Sequence, residues 1–191
     1  MPRQLNDSYE DLVKKAQLLF WVKGFKPVRN DELAEHLGVS VSTIYNKYSK
    51  DMLYLDALED YVYNWSDPVL TKLRESKNGL QSLKDFFYGL IDALLDGTFP
   101  KSCLIVNTVV EMQKDNERLI ELYELYFNNM VRSYRIVLDD AIEKGEIKYP
   151  DRKEEYAEFL IGVIFSLSIF YKVKNINELK EYIDFQLSCI E

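Results

Sequence analysis

The chain has 191 residues, 47% hydrophobic and 29% charged, with 7 Gly and 5 Pro. That is enough chain to bury one or two cores; it excludes disorder by composition and argues against a turn-dense all-β fold. The net charge of −8 is unevenly spread: residues 1–50 carry 8 Lys/Arg against 6 Asp/Glu, whereas residues 51–191 carry 16 against 26. An acidic body repels phosphate, so only the N-terminal quarter suits a nucleic-acid contact.

The opening "MPRQLNDSYEDL" has no apolar core of a signal peptide. Leu12, Val13, Ala16, Leu19 and Phe20 then recur at helical spacing, which predicts a first helix over about 8–23 that stops at Gly24. Pro27 interrupts the connector "FKPVRN". Asn30 is placed to cap a second helix, "DELAEHL", closed by Gly38. Ser40 and Ser49 are placed to cap a third, over about 41–48, and a fourth, "KDMLYLDALEDYVYNWSD". Further helices are expected over about 80–95, 103–113 and 117–144. An apolar run "FLIGVIFSLSIFY" (159–171) and a last amphipathic stretch marked by Leu179, Ile183, Leu187 and Ile190 complete the set. The apolar run is about 13 residues, short of the ~18–20 of a membrane span. No stretch alternates with period two. The expected fold class is all-α with about nine helices, and no membrane association is expected.

The second and third helices flank "GVS", with Ala34 four residues before Gly38 and Ile44 six after it. Two helices crossing closely need a small residue at the crossing, a left-handed glycine in the turn and an apolar side chain dropped into the joint. Leu33, Leu37, Val39 and Ile44 supply that joint. With Ile44 and Tyr48 inward, Val41, Ser42, Tyr45 and Asn46 or Lys47 face out. Hydroxyl, amide and ammonium groups on such a helix suit phosphate oxygens and base edges in a major groove, and Lys50 can clamp a neighbouring phosphate. Spacing alone leaves open a helical hairpin with a solvated polar face.

The stretch "FWVKGFKPVRNDELAEHLGVSVSTIYNKYSKDMLYLDAL" resembles the DNA-binding domain of TetR-family transcriptional regulators. Phe20, Gly24 and Phe25 match the aromatic–x–x–x–Gly–aromatic end of its first helix, and "KSCLIVNTVVEM" is similar to a later helix in one branch. The resemblance implies that Thr43, Tyr45, Lys47 and Lys50 bind phosphates, with Val41 and Ser42 nearest the bases. Two positions depart from the pattern. Ser42 stands where glycine is common, and Val28 and Arg29 stand where Thr or Ser usually opens the second helix, so Arg29 replaces a hydroxyl contact by a charged one. The implied division is a DNA-binding domain over 1–50 and a ligand-binding and dimerisation domain over 51–191, connected by the helix over 51–66.

Members of that family share a helical C-terminal domain that binds a small molecule and dimerises. Candidate pocket residues here are Phe87, Leu90, Leu94, Cys103, Val106, Asn107, Val110 and Glu111, followed by Tyr123, Tyr126, Phe127, Met130 and Tyr134. The alternative is that they are plain core. Candidate dimer residues are Phe159, Val163, Leu167 and Phe170 with Leu179, Ile183 and Leu187, which could form a four-helix seam between two copies. The partners so implied are double-stranded operator DNA, a small apolar or aromatic effector and a second copy of the chain.

One histidine and two distant cysteines cannot assemble an ordinary zinc site. Neither a Ser/His/Asp-like set nor a phosphate loop is present, so no catalytic residue, metal or cofactor is assigned. Cys103, opening a helix, reads either as a reactive thiol or as an inert buried one. Two cysteines without a disulfide framework suit a reducing cytoplasm. The resulting expectation is a ligand-responsive repressor. Its rivals are a helical enzyme or carrier, and a co-regulator that never reads DNA.

Overall fold

A computed structural model describes residues 7–95, Pro100, 102–111 and 116–191. Ten α-helices occur among these residues, with no strand: α1 (Tyr9–Lys23), α2 (Asn30–Leu37), α3 (Val41–Asn46), α4 (Lys50–Asp60), α5 (Asp67–Glu75), α6 (Leu80–Leu95), α7 (Leu104–Glu111), α8 (Glu117–Glu143), α9 (Lys153–Phe170) and α10 (Ile176–Ser188). The all-α expectation holds, with one helix more than the expected nine. The addition is α5, which carries Pro68 in its first turn and buries only Leu70 and Leu73. Two apolar residues in nine are too few to set a period. The predicted fourth helix also changes character: after Asp60 the backbone widens into a π-helical segment, Tyr61–Ser66. The helix of the apolar run begins earlier than expected, at Lys153, because its first turn carries Lys and Glu. The expected end of the sixth predicted helix at Gln113, and most of the break "DGTFPKS", lie outside the described residues.

The chain divides into two compact units, Met1–Trp65 with Cys103–Tyr123, and Ser66–Ser102 with Glu124–Glu191. In the first, α1 starts on a capping box in which Ser8 and Asp11 satisfy each other's backbone N–H groups. Phe20, Leu33, Ala34, Ile44 and Tyr54 are buried at its centre, and the Phe20 and Tyr54 rings meet edge to face at 4.9 Å. The Tyr54 hydroxyl lies 2.6 Å from Thr108 Oγ1 on α7, which itself donates to the Leu104 carbonyl at 2.7 Å. Thr108 therefore accepts from Tyr54. Replacing Thr108 by Val would strand that buried hydroxyl, so an unfolding titration should show a loss of about 1–3 kcal/mol.

In the second unit, Phe87 and Tyr134 stack at 6.3 Å, Tyr126 meets Phe127 at 5.7 Å, and Phe127 meets Phe165 at 5.7 Å. The open turn before α6 is closed by carboxylates from the C-terminal part of α8 and just beyond it: Asp140 accepts the Gly79 N–H at 2.7 Å and Glu146 that of Leu80 at 2.7 Å. Helix α10 begins on a second capping box, Asn175 with Glu178.

Five of the seven residues expected at a dimer seam are placed inside this unit. Val163, Leu167, Leu179, Ile183 and Leu187 are buried against their own chain, while Phe159 and Phe170 are half-buried. Their periodicity reported burial correctly, but the surface covering them belongs to the same chain. The apolar side chains left open on these helices are Ile169, 59% exposed, and Phe185, 66% exposed.

Candidate nucleic-acid interface

The joint between α2 and α3 forms as its residues dictate. Gly38 sits at φ 70°, ψ 25°, the left-handed conformation that a side chain would resist. Its N–H bonds the Glu35 carbonyl at 3.1 Å, and the Val39 N–H bonds that of Ala34 at 3.0 Å. Ala34 and Ile44 are buried in the crossing. Burying Ile44 is worth roughly 2 kcal/mol, which anchors a helix of six residues that could not stand alone.

Ser40 caps α3 by accepting the Thr43 N–H at 3.1 Å. Its hydroxyl also lies 2.8 Å from those of Ser42 and Thr43. These three hydroxyls thus hold one another in place at the start of α3. Val41, Ser42, Tyr45, Asn46 and Lys47 are exposed, Tyr45 at 68%. Tyr48 is half-buried against the Tyr9 ring at 5.1 Å, and the Lys47 ammonium lies 4.7 Å over the Tyr48 ring. The two inward positions and the outward set thus fall as the spacing requires.

Arg29 is placed differently from expectation. Its backbone occupies the cap position of α2 without a side-chain cap, Asn30 lies inside the helix, and the guanidinium pairs with Asp31, the Nε–Oδ1 distance being 3.0 Å. The Arg29 hydrogen bond holds the Asp31 carboxyl below the usual carboxylate range. Both side chains are exposed, so Arg29 reaches a phosphate only by sharing with or leaving Asp31.

Lys50 opens α4 and lies 4.2 Å over the Phe25 ring. Burial pushes its ammonium pKa down, while Asp51 and Glu111 act the other way. Phe25, Arg29, Val41, Tyr45 and Lys50 are among the residues lining an open cleft of about 810 Å³. Lys26, Arg29 and Lys50 edge it together with Asp31 and Asp51, so three cations face two carboxylates there.

The residues expected around an effector are distributed over both units. In the first, Cys103, Val106 and Tyr123 are buried, Asn107 is half-buried, and Val110 is 81% exposed. The Tyr61 hydroxyl points at Cys103 Sγ at 3.4 Å. The Tyr123 hydroxyl is buried without a hydrogen-bond partner among the described residues. Glu111 turns towards the α1–α2 connector and accepts the backbone N–H groups of Phe25 at 2.7 Å and Lys26 at 3.0 Å. In the second unit Phe87, Tyr126, Met130 and Tyr134 are buried, and Leu90, Leu94 and Phe127 are half-buried. Sequence reasoning missed the roles of Glu111, Phe25 and Asp31. The first is joined to its partners across 85 and 86 residues, a separation that no local pattern signals.

Among the described residues no group of three or more His, Cys, Asp or Glu could hold a metal ion, and no helix is long and apolar enough to cross a membrane. His36 is exposed on α2, its Nε2 3.1 Å from the Lys15 carbonyl.

A short helix presenting polar and aromatic side chains, set on a second helix through a left-handed glycine turn, defines a helix-turn-helix protein. Residues 79–181 match the family model described as Tetracyclin repressor-like, C-terminal domain. The chain belongs to the TetR family of transcriptional regulators. It is 24% identical to the uncharacterized HTH-type transcriptional regulator YezE of Bacillus subtilis over 94% of each chain. It is also 24% identical to the HTH-type transcriptional repressor ComR of Escherichia coli, over 81% of this chain and 75% of that one. Among solved structures, a cysteine mutant of the TetR family transcriptional regulator CifR, complexed with 26-base-pair double-strand operator DNA, superposes with a TM-score of 0.81 at 19% identity, over the whole of both chains. A TetR family regulator from Agrobacterium tumefaciens superposes with a TM-score of 0.74 at 16% identity, over 95% of this chain and 96% of that one.

Proposed function

We propose that this regulator is a cytoplasmic, homodimeric repressor without enzymatic activity, which binds a palindromic operator through α3 and is released by a small apolar or aromatic effector. The observation that carries this reading is the outward face of α3, with Val41, Ser42, Tyr45, Asn46 and Lys47 open beside Lys50 while Ile44 is locked inside. In it, residues 1–50 act as the DNA-binding domain and residues 51–191 as the ligand and dimer domain. Val41 and Ser42 lie nearest the bases, and Thr43, Tyr45, Lys47, Lys50 and Arg29 meet phosphates.

A head of this kind neutralises about 4–6 phosphates in each complex, so binding to a duplex should weaken with salt along a log–log slope near −4 to −5. A slope near zero, or no mobility shift at low salt, would remove the DNA reading and leave an enzyme, a carrier or a co-regulator.

Effector action follows from α4, which carries Lys50 at one end and leads into the π-helical segment at the other. An effector that prefers one tilt of α4 alters the spacing of two paired heads, and DNA affinity falls by its differential affinity for the two states. Support for an effector comes from each unit separately: the buried hydroxyl of Tyr123, without a hydrogen-bond partner among the described residues, in the first, and the ring pairs Phe87–Tyr134 and Tyr126–Phe127 in the second. Operator titrations with and without a small aromatic compound shown to bind should differ by about 5- to 150-fold. Equal affinities would dispose of this mechanism.

A further inference from the structure

We propose that Glu111 is a positioning residue for DNA binding, a latch that holds the α1–α2 connector so that Lys50 is presented to the phosphate backbone. This rests on the reading that α3 and Lys50 meet DNA.

The connector needs such a partner. Helix α1 ends at Lys23, the Gly24 N–H returns to the Phe20 carbonyl at 2.8 Å, and Pro27 has no N–H. The N–H groups of Phe25 and Lys26 therefore lie beyond the helix, and one oxygen of the Glu111 carboxylate takes both, at 2.7 and 3.0 Å. Hydrogen bonds to an ionised acceptor are roughly twice as strong as neutral ones. Gly24 makes the approach possible. It sits at φ 84°, and a Cβ there would stand 2.1 Å from the nearer Glu111 oxygen.

What the latch fixes is the Phe25 ring. That ring packs 4.6 Å from Tyr54 and carries the Lys50 ammonium at 4.2 Å. A line of contacts thus runs from the last described turn of α7, through the Phe25 backbone and ring, to a cation on the edge of the cleft. Thr108, three residues earlier on α7, holds Tyr54 through its hydroxyl. Helix α7 is thereby tied both to the connector and to the helix that bears Lys50, so a shift of α7 is felt at Lys50. Glu111 leaves the effector-lining set and joins the DNA-binding machinery.

The experiment uses the full chain and a duplex selected from a random pool by the wild-type protein. Affinity and its salt dependence are measured for wild type, E111A, E111Q, K50A and E111A/K50A, with thermal unfolding alongside. Glu111→Ala should weaken binding about tenfold and flatten the salt slope by about two, one for each Lys50 of the twofold complex. Glu111→Gln keeps an uncharged acceptor and should lose about threefold. The double variant should bind about as K50A does, since both substitutions remove the same contact. Wild-type affinity and slope in E111A and E111Q would overturn the proposal, as would additive losses in the double variant. So would a loss in E111A that only follows its folded fraction while E111Q binds as wild type. A wild-type protein that selects no duplex refutes the DNA reading itself and the latch with it, a result distinguishable from these.

Discussion

Replacing Tyr45 and Lys47 together by alanine should lower affinity for a selected duplex at least about 100-fold and leave the melting temperature within a degree or two of wild type. Tyr45 is exposed and contributes little to the core of the first unit, and Lys47 rests only on the outer face of Tyr48. Surface substitutions of this kind usually change stability by less than about 0.5 kcal/mol. Their effect on binding is much larger, because a twofold complex loses every contact twice. Four lost contacts at about 0.7 kcal/mol each already give a hundredfold. The salt slope should flatten by about two, one for each Lys47. Gel-shift or anisotropy titrations at several salt concentrations, with thermal unfolding beside them, check this. Unchanged binding by a folded double variant would mean that α3 never enters a groove.

A second large effect is expected at the far end of the chain. Ile169→Asp with Phe185→Asp should convert the proposed dimer to a monomer and weaken operator binding at least about 100-fold. By helical spacing Ile161, Phe165 and Ile169 share one stripe of α9, and Tyr182 and Phe185 one stripe of α10. Of these, Ile169 and Phe185 expose most of their apolar surface, which a second copy would cover. Carboxylates placed there stay solvated in a single chain but would be desolvated and mutually repelled in a seam. Separate heads also lose the effective concentration by which one bound half-site recruits the other. Sedimentation equilibrium reads the mass, and titration of the same duplex reads the affinity. A variant that stays dimeric moves the seam elsewhere; a monomer with full affinity removes the need for one.

What could be read from the residues depended on how local the cause was. The α2–α3 joint follows from Ala34, Gly38, Ile44 and the cap Ser40, all within eleven residues, and the structure realises each of them. The outward set on α3 is the complement of that joint and was equally legible. Helix α5 was not, because Leu70 and Leu73 make too short a stripe. The apolar residues of α9 and α10 announced burial but not the identity of what covers them, since periodicity is the same for a core and for a seam. The partners of Glu111 were the least legible. A carboxylate one turn beyond Asn107 suggested a polar tip in a cavity, whereas its partners are the backbone of Phe25 and Lys26, brought near only by the tertiary fold. Arg29 is expected to replace a hydroxyl contact by a charged one, and the structure pairs its guanidinium with Asp31, two residues on.

The most direct test is to let the purified full-length protein select from a random duplex pool and to sequence what it retains. Two inverted copies of one short motif, centred about ten base pairs or a multiple of that apart, are the predicted result, since paired helix-turn-helix heads sit one turn of DNA from each other. A pool that shows no enrichment at low salt, or one enriched in a single unrepeated motif, would contradict the account.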